Sequence, residues 1–181
     1  MHAIRNTKSA VNAAVSAFSE SIRLGASLGA DLILIETMND AYETKAAVLA
    51  AKEGCDLPVF VTNVYDASGK LMTGADPETM TALLEGLGCD AIGMNCSLGP
   101  DLALPVIREF AEITDIPLIF KPNAGLPITA ADGTAAADYD ADTFVREVKP
   151  ALEFVDYIGG CCGCGPEYIR RLKVCMDEMK G

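Results

Sequence analysis

The segment DLILIETMNDAYETKAAVLAAKEGCDLPVFVTNV (31–64) decides the fold class. Its two apolar runs, 31–36 and 58–64, are short and nearly continuous, which is typical of strands covered on both faces. Between them, 41–54 has the spacing of a helix that carries glutamate and lysine on its outer face. Two buried strands joined by a helix predict a parallel βαβ unit, because parallel neighbours need a crossover connection.

The same alternation continues along the chain. Helices are predicted over 9–28, 76–88, 102–113, 141–150 and 166–179, and further strands over 91–95, 117–121 and 157–160. One helix followed by five βα units fits either an open doubly wound sheet or part of a (β/α)8 barrel that lacks its first strands. Five units do not close an eight-stranded barrel. Residues 124–140 are predicted to form one long loop that covers a substrate.

The composition is that of a globular domain. With 181 residues, 50% of them hydrophobic and 22% charged, the chain is predicted to form one domain over 1–181. Its apolar runs are far shorter than the roughly 20 residues needed to cross a bilayer. No secretion signal is visible, so a cytoplasmic location is expected. The net charge of −12 argues against nucleic-acid and anionic-membrane partners.

The cysteine and histidine content narrows the chemistry. The chain has seven cysteines and one histidine, His2. An odd number of cysteines without a secretion signal favours metal binding or catalysis over disulfides. A single histidine near the start of the chain removes most Ser–His and Cys–His schemes.

Three cysteines directly follow predicted strands: Cys96, Cys161 and Cys162. The carboxyl ends of parallel strands share one rim, so these residues are expected to meet there although they lie far apart in the chain. The flanking glycines allow the sharp turn that lets two adjacent cysteines face one ion. Three thiolates favour zinc, and three protein ligands leave the open fourth position of a catalytic site.

Other polar and thiol residues have open interpretations. Glu36 ends an apolar predicted strand. It is interpreted either as a solvated carboxylate or as a residue that contacts the substrate. Asn123 has the setting of a turn residue. Cys164 is a spare ligand, a redox partner of its neighbours, or neither. Three cysteines near helix ends or on apolar helix faces are expected to pack as small hydrophobic side chains, namely Cys55, Cys89 and Cys175.

Several segments together match a known family. They are DLILIETM (31–38), PVFVTNVYDASGKLMTGADPETM (58–80), GCDAIGMNCSLGP (88–100), PLIFKPNAGLP (117–127) and YIGGCCG (157–163) followed by PEYI (166–169). With these segments the sequence resembles the homocysteine-binding barrel domain of methionine synthase and related homocysteine S-methyltransferases, and it looks most similar to the cobalamin-dependent branch. The resemblance implies an α/β fold that is a partial (β/α)8 TIM barrel, with about five parallel β/α units and the N-terminal strands missing.

The resemblance also implies roles for residues. Cys96, Cys161 and Cys162 match the family's zinc ligands, Glu36 matches a glutamate that contacts the amino group of homocysteine, and Asn123 matches an asparagine near the metal. The implied reaction is zinc-dependent methyl transfer to the thiol of homocysteine, giving methionine. The implied donor is methylcobalamin, charged from methyltetrahydrofolate and carried by a corrinoid-binding domain or protein.

Two departures from the family pattern keep other functions open. The chain is expected to hold only the last five of eight barrel strands, and Cys164 and Gly165 replace two hydroxyl residues. One alternative is a truncated, non-catalytic half-barrel that binds zinc and associates with a partner chain or with itself. A further alternative is a thiol redox protein that uses Cys161, Cys162 and Cys164.

Overall fold

A computed structural model describes residues 8–129 and 135–180. Helices and strands alternate through most of this range. In chain order they are α1 (Lys8–Ser27), β1 (Ile33–Met38), α2 (Ala41–Gly54), β2 (Val59–Asn63), α3 (Pro77–Gly86), β3 (Ala91–Asn95), α4 (Pro100–Ile113), β4 (Leu118–Lys121), β5 (Pro127–Thr129), β6 (Ala135–Ala137), α5 (Ala141–Val148), a 3-10 helix (Lys149–Glu153), β7 (Tyr157–Ile158) and α6 (Pro166–Lys180).

Five strands form one parallel sheet in the order β1-β2-β3-β4-β7. The order follows the chain without reversal, whereas a doubly wound sheet reverses at a switch point. Because crossovers between parallel strands are right-handed, a sheet that grows in one direction carries its helices on one face. Of the two architectures that fit the sequence, the partial barrel is therefore confirmed.

The sheet curls strongly, as a barrel wall must. The rings of Phe60 on β2 and Tyr157 on β7 have centroids 4.9 Å apart. In a flat sheet, three strand spacings would separate these positions by about 14 Å. An ion pair likewise joins Glu36 on β1 to Lys121 on β4, across β2 and β3. Side chains on the concave face thus meet over strands that lie between them.

The hydrophobic core lies on the face of the sheet that the helices cover. Fully or nearly fully buried side chains from several helices and strands fill it, among them Val48, Val61, Met80, Leu84, Ile107 and Phe110. The concave face is only partly covered. Leu34, which alternates with the buried Ile35 along β1, is 42% exposed, and Tyr157 is 45% exposed.

The element boundaries differ from the predicted ones in two instructive places. The predicted strand 31–36 lies two residues later, because β1 continues through an irregularity at Thr37, whose φ is 64°. The predicted loop 124–140 is wrong in part, since β5 and β6 pair there as a short antiparallel ribbon. Residues 130–134 of that segment lie outside the described residues.

In the described part of the chain, no helix has both the length and the apolar character needed to cross a bilayer.

Candidate metal centre

Cys96 lies at a sharp turn immediately after β3. Cys96 and Ser97 both have left-handed backbone conformations, with φ of 64° and 65°. Such φ values are uncommon for residues other than glycine and carry strain. Two hydrogen bonds hold the turn: the Cys96 amide donates to the Lys121 carbonyl at 3.0 Å, and the Leu98 amide donates to the Cys96 carbonyl at 2.8 Å. The fold thus holds the Cys96 thiol at the rim in a conformation that the chain rarely adopts unaided.

Cys161 and Cys162 follow β7 and are fixed to the loop after β4. The Cys161 amide donates to the Pro122 carbonyl at 2.8 Å, and the Ala124 amide donates to the Cys162 carbonyl at 2.9 Å. The turn then passes through Gly163, whose φ is 82°. A Cβ there would also lie 2.9 Å from the Cβ of Ala137, so glycine is required for both conformation and space.

The three thiols converge. The sulfur atoms of Cys96, Cys161 and Cys162 all lie within 4.8 Å of one another, and those of Cys96 and Cys162 are 3.6 Å apart. In a tetrahedral site with zinc–sulfur bonds of about 2.3 Å, sulfur ligands are about 3.8 Å apart. The cluster therefore fits a zinc ion after side-chain adjustments below about 1 Å, and its three soft donors are those that zinc accepts.

Asn95 connects this cluster to the neighbouring strands. Its side-chain oxygen accepts hydrogen bonds from the Thr37 amide at 2.9 Å and the Thr62 hydroxyl at 2.7 Å. Its side-chain nitrogen donates to the Thr37 hydroxyl at 2.8 Å and lies 3.7 Å from the Cys161 sulfur. The side chain of Asn95 is 1% exposed, so it is a buried hub that aligns β1 and β2 with a candidate ligand. Sequence reasoning placed Asn95 at the strand end but assigned it no role.

Glu36 and Lys121 form an ion pair on the concave face. Their side chains are 47% and 23% exposed. The lysine stem runs beside the cysteine loop, since a Cβ added at Gly159 would lie 3.4 Å from the Lys121 Cγ. The sequence placed both residues at strand ends, but their pairing depends on the curvature of the sheet.

Asn123 is buried next to the cluster, with 6% of its surface exposed. Its side-chain oxygen accepts a hydrogen bond from the Cys162 amide at 3.1 Å. Its own amide donates to the Leu98 carbonyl at 2.9 Å. In this arrangement Asn123 ties together the two cysteine loops, which goes beyond the role of a turn residue.

Cys164 is not a member of the three-thiol cluster. Its sulfur lies 3.9 Å from the Pro122 carbonyl oxygen, and burial raises the pKa of its thiol to about 11. Cys89 is also buried, which again raises the thiol pKa to about 11. High pKa values disfavour the thiolate, the form that binds metals and reacts. Cys55 and Cys175, both partly buried, are not members of the cluster.

The cluster lies on an open rim rather than in a closed cavity. Cys162 is exposed, which leaves one side of the three thiols accessible to a small molecule. A cavity of about 660 Å³ lies elsewhere, lined by Glu85, Thr114 and Pro117 among others, near the amino end of β4. Because that cavity contains none of the thiols, we assign the candidate chemistry to the rim.

Comparison with known proteins identifies relatives. The family model described as homocysteine S-methyltransferase matches residues 3–176. Methionine synthase from Mycobacterium leprae is 36% identical over 155 residues, which is 80% of this chain and 12% of the relative. Methionine synthase from Mycobacterium tuberculosis is 34% identical over 163 residues, which is 84% of this chain and 13% of the relative. The chain thus spans about an eighth of the length of these relatives.

Solved structures agree with this relationship. The apo form of the homocysteine methyltransferase MmuM from Escherichia coli matches with a TM-score of 0.67 and 25% identity, over 89% of this chain and 57% of that protein. Its metallated form matches with a TM-score of 0.68 and 24% identity, over 88% and 51% of the two chains, which by itself shows a shared fold. With a family model that covers nearly the whole chain, the protein belongs to the homocysteine S-methyltransferase family of TIM-barrel enzymes.

Proposed function

We propose that residues 1–181 form the carboxyl-terminal part of a homocysteine-binding barrel domain that transfers a methyl group to the thiol of homocysteine, giving methionine. In this proposal Cys96, Cys161 and Cys162 hold Zn²⁺. The observation that supports it most directly is the meeting of these three thiols within 4.8 Å at the strand ends, in a chain of this family. We also propose the cytoplasmic location expected from the sequence, a compartment that keeps thiols reduced.

The residues of the site have distinct tasks in this reaction. Zinc, when bound, supplies Lewis acidity that stabilises a substrate thiolate at neutral pH. The exposed side of Cys162 would let the substrate sulfur approach the three thiols. Asn123 holds the Cys162 backbone and borders the substrate site. Glu36 offers a carboxylate at the rim for the substrate's amino group.

The methyl donor in this proposal is methylcobalamin, charged from methyltetrahydrofolate and carried by a corrinoid-binding domain or protein. Held on that domain or protein, methylcobalamin would supply an electrophilic methyl group to the substrate sulfur and would keep the electron pair of the bond it gives up. The thiol proton leaves to solvent. Support for this donor comes from the two relatives, which are methionine synthases and most of whose length lies outside the match.

We also propose that further β/α units complete the barrel. The outer strands β1 and β7 each have one neighbour in the sheet, and an open strand edge invites pairing. Leu34 and Tyr157 expose apolar surface on the concave face. Association with a segment that supplies the missing strands would cover both the strand edges and the exposed apolar side chains. The molar mass measured by light scattering tests this, and a mass that is a multiple of the chain's own would show self-association instead.

Metal content tests the zinc site. The chain purified under reducing conditions should contain one zinc per molecule, and Cys96→Ser should lose most of it. Cys175→Ser is the matched control and should keep its zinc, because this partly buried thiol lies outside the cluster. A reduced, folded chain that binds no zinc would contradict the proposal.

A spectroscopic assay tests methyl transfer and separates the alternatives. Addition of homocysteine to the zinc-loaded chain with methylcobalamin should convert the cofactor spectrum to that of the demethylated corrinoid. A non-catalytic half-barrel would bind zinc, but homocysteine would not change the coordination of the metal. The absorption spectrum of the chain with cobalt in place of zinc reports such a change. A thiol redox protein would show the same number of reactive thiols with and without a chelator, whereas metal ligation hides three of them.

A further inference from the structure

We propose that Lys121 binds the carboxylate of the substrate, so that Lys121 and Glu36 together form a clamp for the zwitterionic end of an amino-acid thiol. This inference rests on the proposed function, because it concerns the same site. It assigns to Lys121 a specificity-determining role that the sequence did not suggest.

The geometry places this ion pair next to the thiols. Thr37, the residue after Glu36, donates its amide to Asn95, whose side chain also lies 3.7 Å from the Cys161 sulfur. The carbonyl of Lys121 accepts the Cys96 amide at 3.0 Å. Lys121 is therefore bonded directly to the backbone of one candidate ligand, and Glu36 precedes a residue whose hydrogen-bonded partner Asn95 lies against another.

The pair has unused hydrogen-bonding capacity. The Lys121 ammonium carries three donors, and the Glu36 carboxylate accepts its bond through one of two oxygens. An α-amino acid presents an ammonium and a carboxylate on one carbon. Its ammonium adds to Glu36 and its carboxylate adds to Lys121, which produces an alternating arrangement of four charges with no like charges adjacent.

Stability alone does not account for the pair. Partly exposed ion pairs contribute little to the stability of the fold, because water screens the charges and the side chains lose freedom when they pair. Lys121 lies on the concave face that also carries the rings of Phe60 and Tyr157, a position where a lysine needs a partner, and Glu36 is that partner. A charged pair that adds little stability and adjoins a thiol cluster is what recognition of a charged thiol substrate requires.

Binding of three thiols tests the clamp. Isothermal titration of the zinc-loaded chain would compare homocysteine with 3-aminopropanethiol, which lacks the carboxylate, and with 4-mercaptobutyrate, which lacks the amino group. In the unmodified chain homocysteine should bind more tightly than either analogue, by about tenfold to a hundredfold, as expected for one charge-assisted hydrogen bond.

Substitutions should separate the two charges. Lys121→Gln should weaken the binding of homocysteine by that factor and leave the affinity for 3-aminopropanethiol unchanged. The variant should therefore no longer discriminate between the two thiols. Lys121→Arg should restore part of the preference for homocysteine, and this result would exclude misfolding as the cause of the weaker binding in Lys121→Gln. Glu36→Gln should instead remove the preference over 4-mercaptobutyrate. Lys149→Gln, at an exposed lysine of the 3-10 helix, is the control and should change nothing.

The outcomes distinguish this inference from the proposed function. If Lys121→Gln keeps the full preference for homocysteine over 3-aminopropanethiol, the clamp is refuted while thiol binding at zinc stands. If the unmodified chain with bound zinc takes up none of the three thiols, both the clamp and the proposed function are refuted.

Discussion

Replacing Asn95 by alanine should weaken both the fold and the metal site. The substitution removes the acceptor for the fully buried Thr62 hydroxyl at 2.7 Å and for the Thr37 amide at 2.9 Å. Buried groups left without a partner cost about 1–3 kcal/mol each. Because Thr37 is exposed and water can replace part of its loss, we expect the free energy of unfolding to fall by about 2–4 kcal/mol.

The metal site should respond separately from stability. Asn95 also lies 3.7 Å from the Cys161 sulfur, and removing a residue that orients a ligand typically costs about tenfold to a hundredfold in metal affinity. The midpoint and slope of urea unfolding give the free energy of unfolding. Competition with a chromophoric chelator gives the zinc affinity. Asn12→Ala, on the exposed surface of α1, is the control and should stay within about 0.5 kcal/mol of the unmodified chain.

An Asn95→Ala variant that unfolds at the same urea concentration as Asn12→Ala would show that the hydrogen bonds of Asn95 do not stabilise the fold. A loss of stability with unchanged zinc affinity would refute the predicted effect on the metal site, since the contact between Asn95 and Cys161 would then not orient the ligand.

Three further predictions concern packing at two glycines and the dependence of stability on pH. Gly93→Ala places a Cβ 2.0 Å from the Ile119 carbonyl oxygen, so it should lower the free energy of unfolding by at least about 1–3 kcal/mol in urea titrations. Gly86→Ala, with no atom within 4 Å of the new Cβ and at the end of α3, should instead raise stability by up to about 1 kcal/mol, and a loss there would contradict the packing argument. The hydrogen bond from the Val59 amide, and after it the one from Lys52, lowers the pKa of Asp90. This carboxylate therefore stabilises the fold above its unfolded pKa of about 4. That contribution is lost as the pH falls through the lower pKa of the folded state. Asp90→Asn should therefore flatten the dependence of stability on pH below about 4, and an unchanged slope would refute it.

The sequence alone determined the regular elements that position the site. The predicted helix 41–54 and strand 91–95 match α2 and β3 at both ends, because buried strands and amphipathic helices leave a local pattern of apolar residues. The same pattern placed Cys96, Cys161 and Cys162 directly after strands. The antiparallel pair of β5 and β6 left no such pattern, because each strand has three residues and β6 consists of alanine, a poor strand former.

Only the tertiary structure decided how closely the side chains meet and which charged residues pair. The order of the strands separated the barrel from the doubly wound sheet, and order is a property of pairing between distant segments rather than of any segment. The pairing of Glu36 with Lys121 arises from curvature that brings β1 and β4 together over two intervening strands. The cysteines showed in the sequence which chemistry to expect. The curl of the sheet set the distances between the thiols and placed the charged pair beside them, because each distance sums small twists over three or four neighbouring strands.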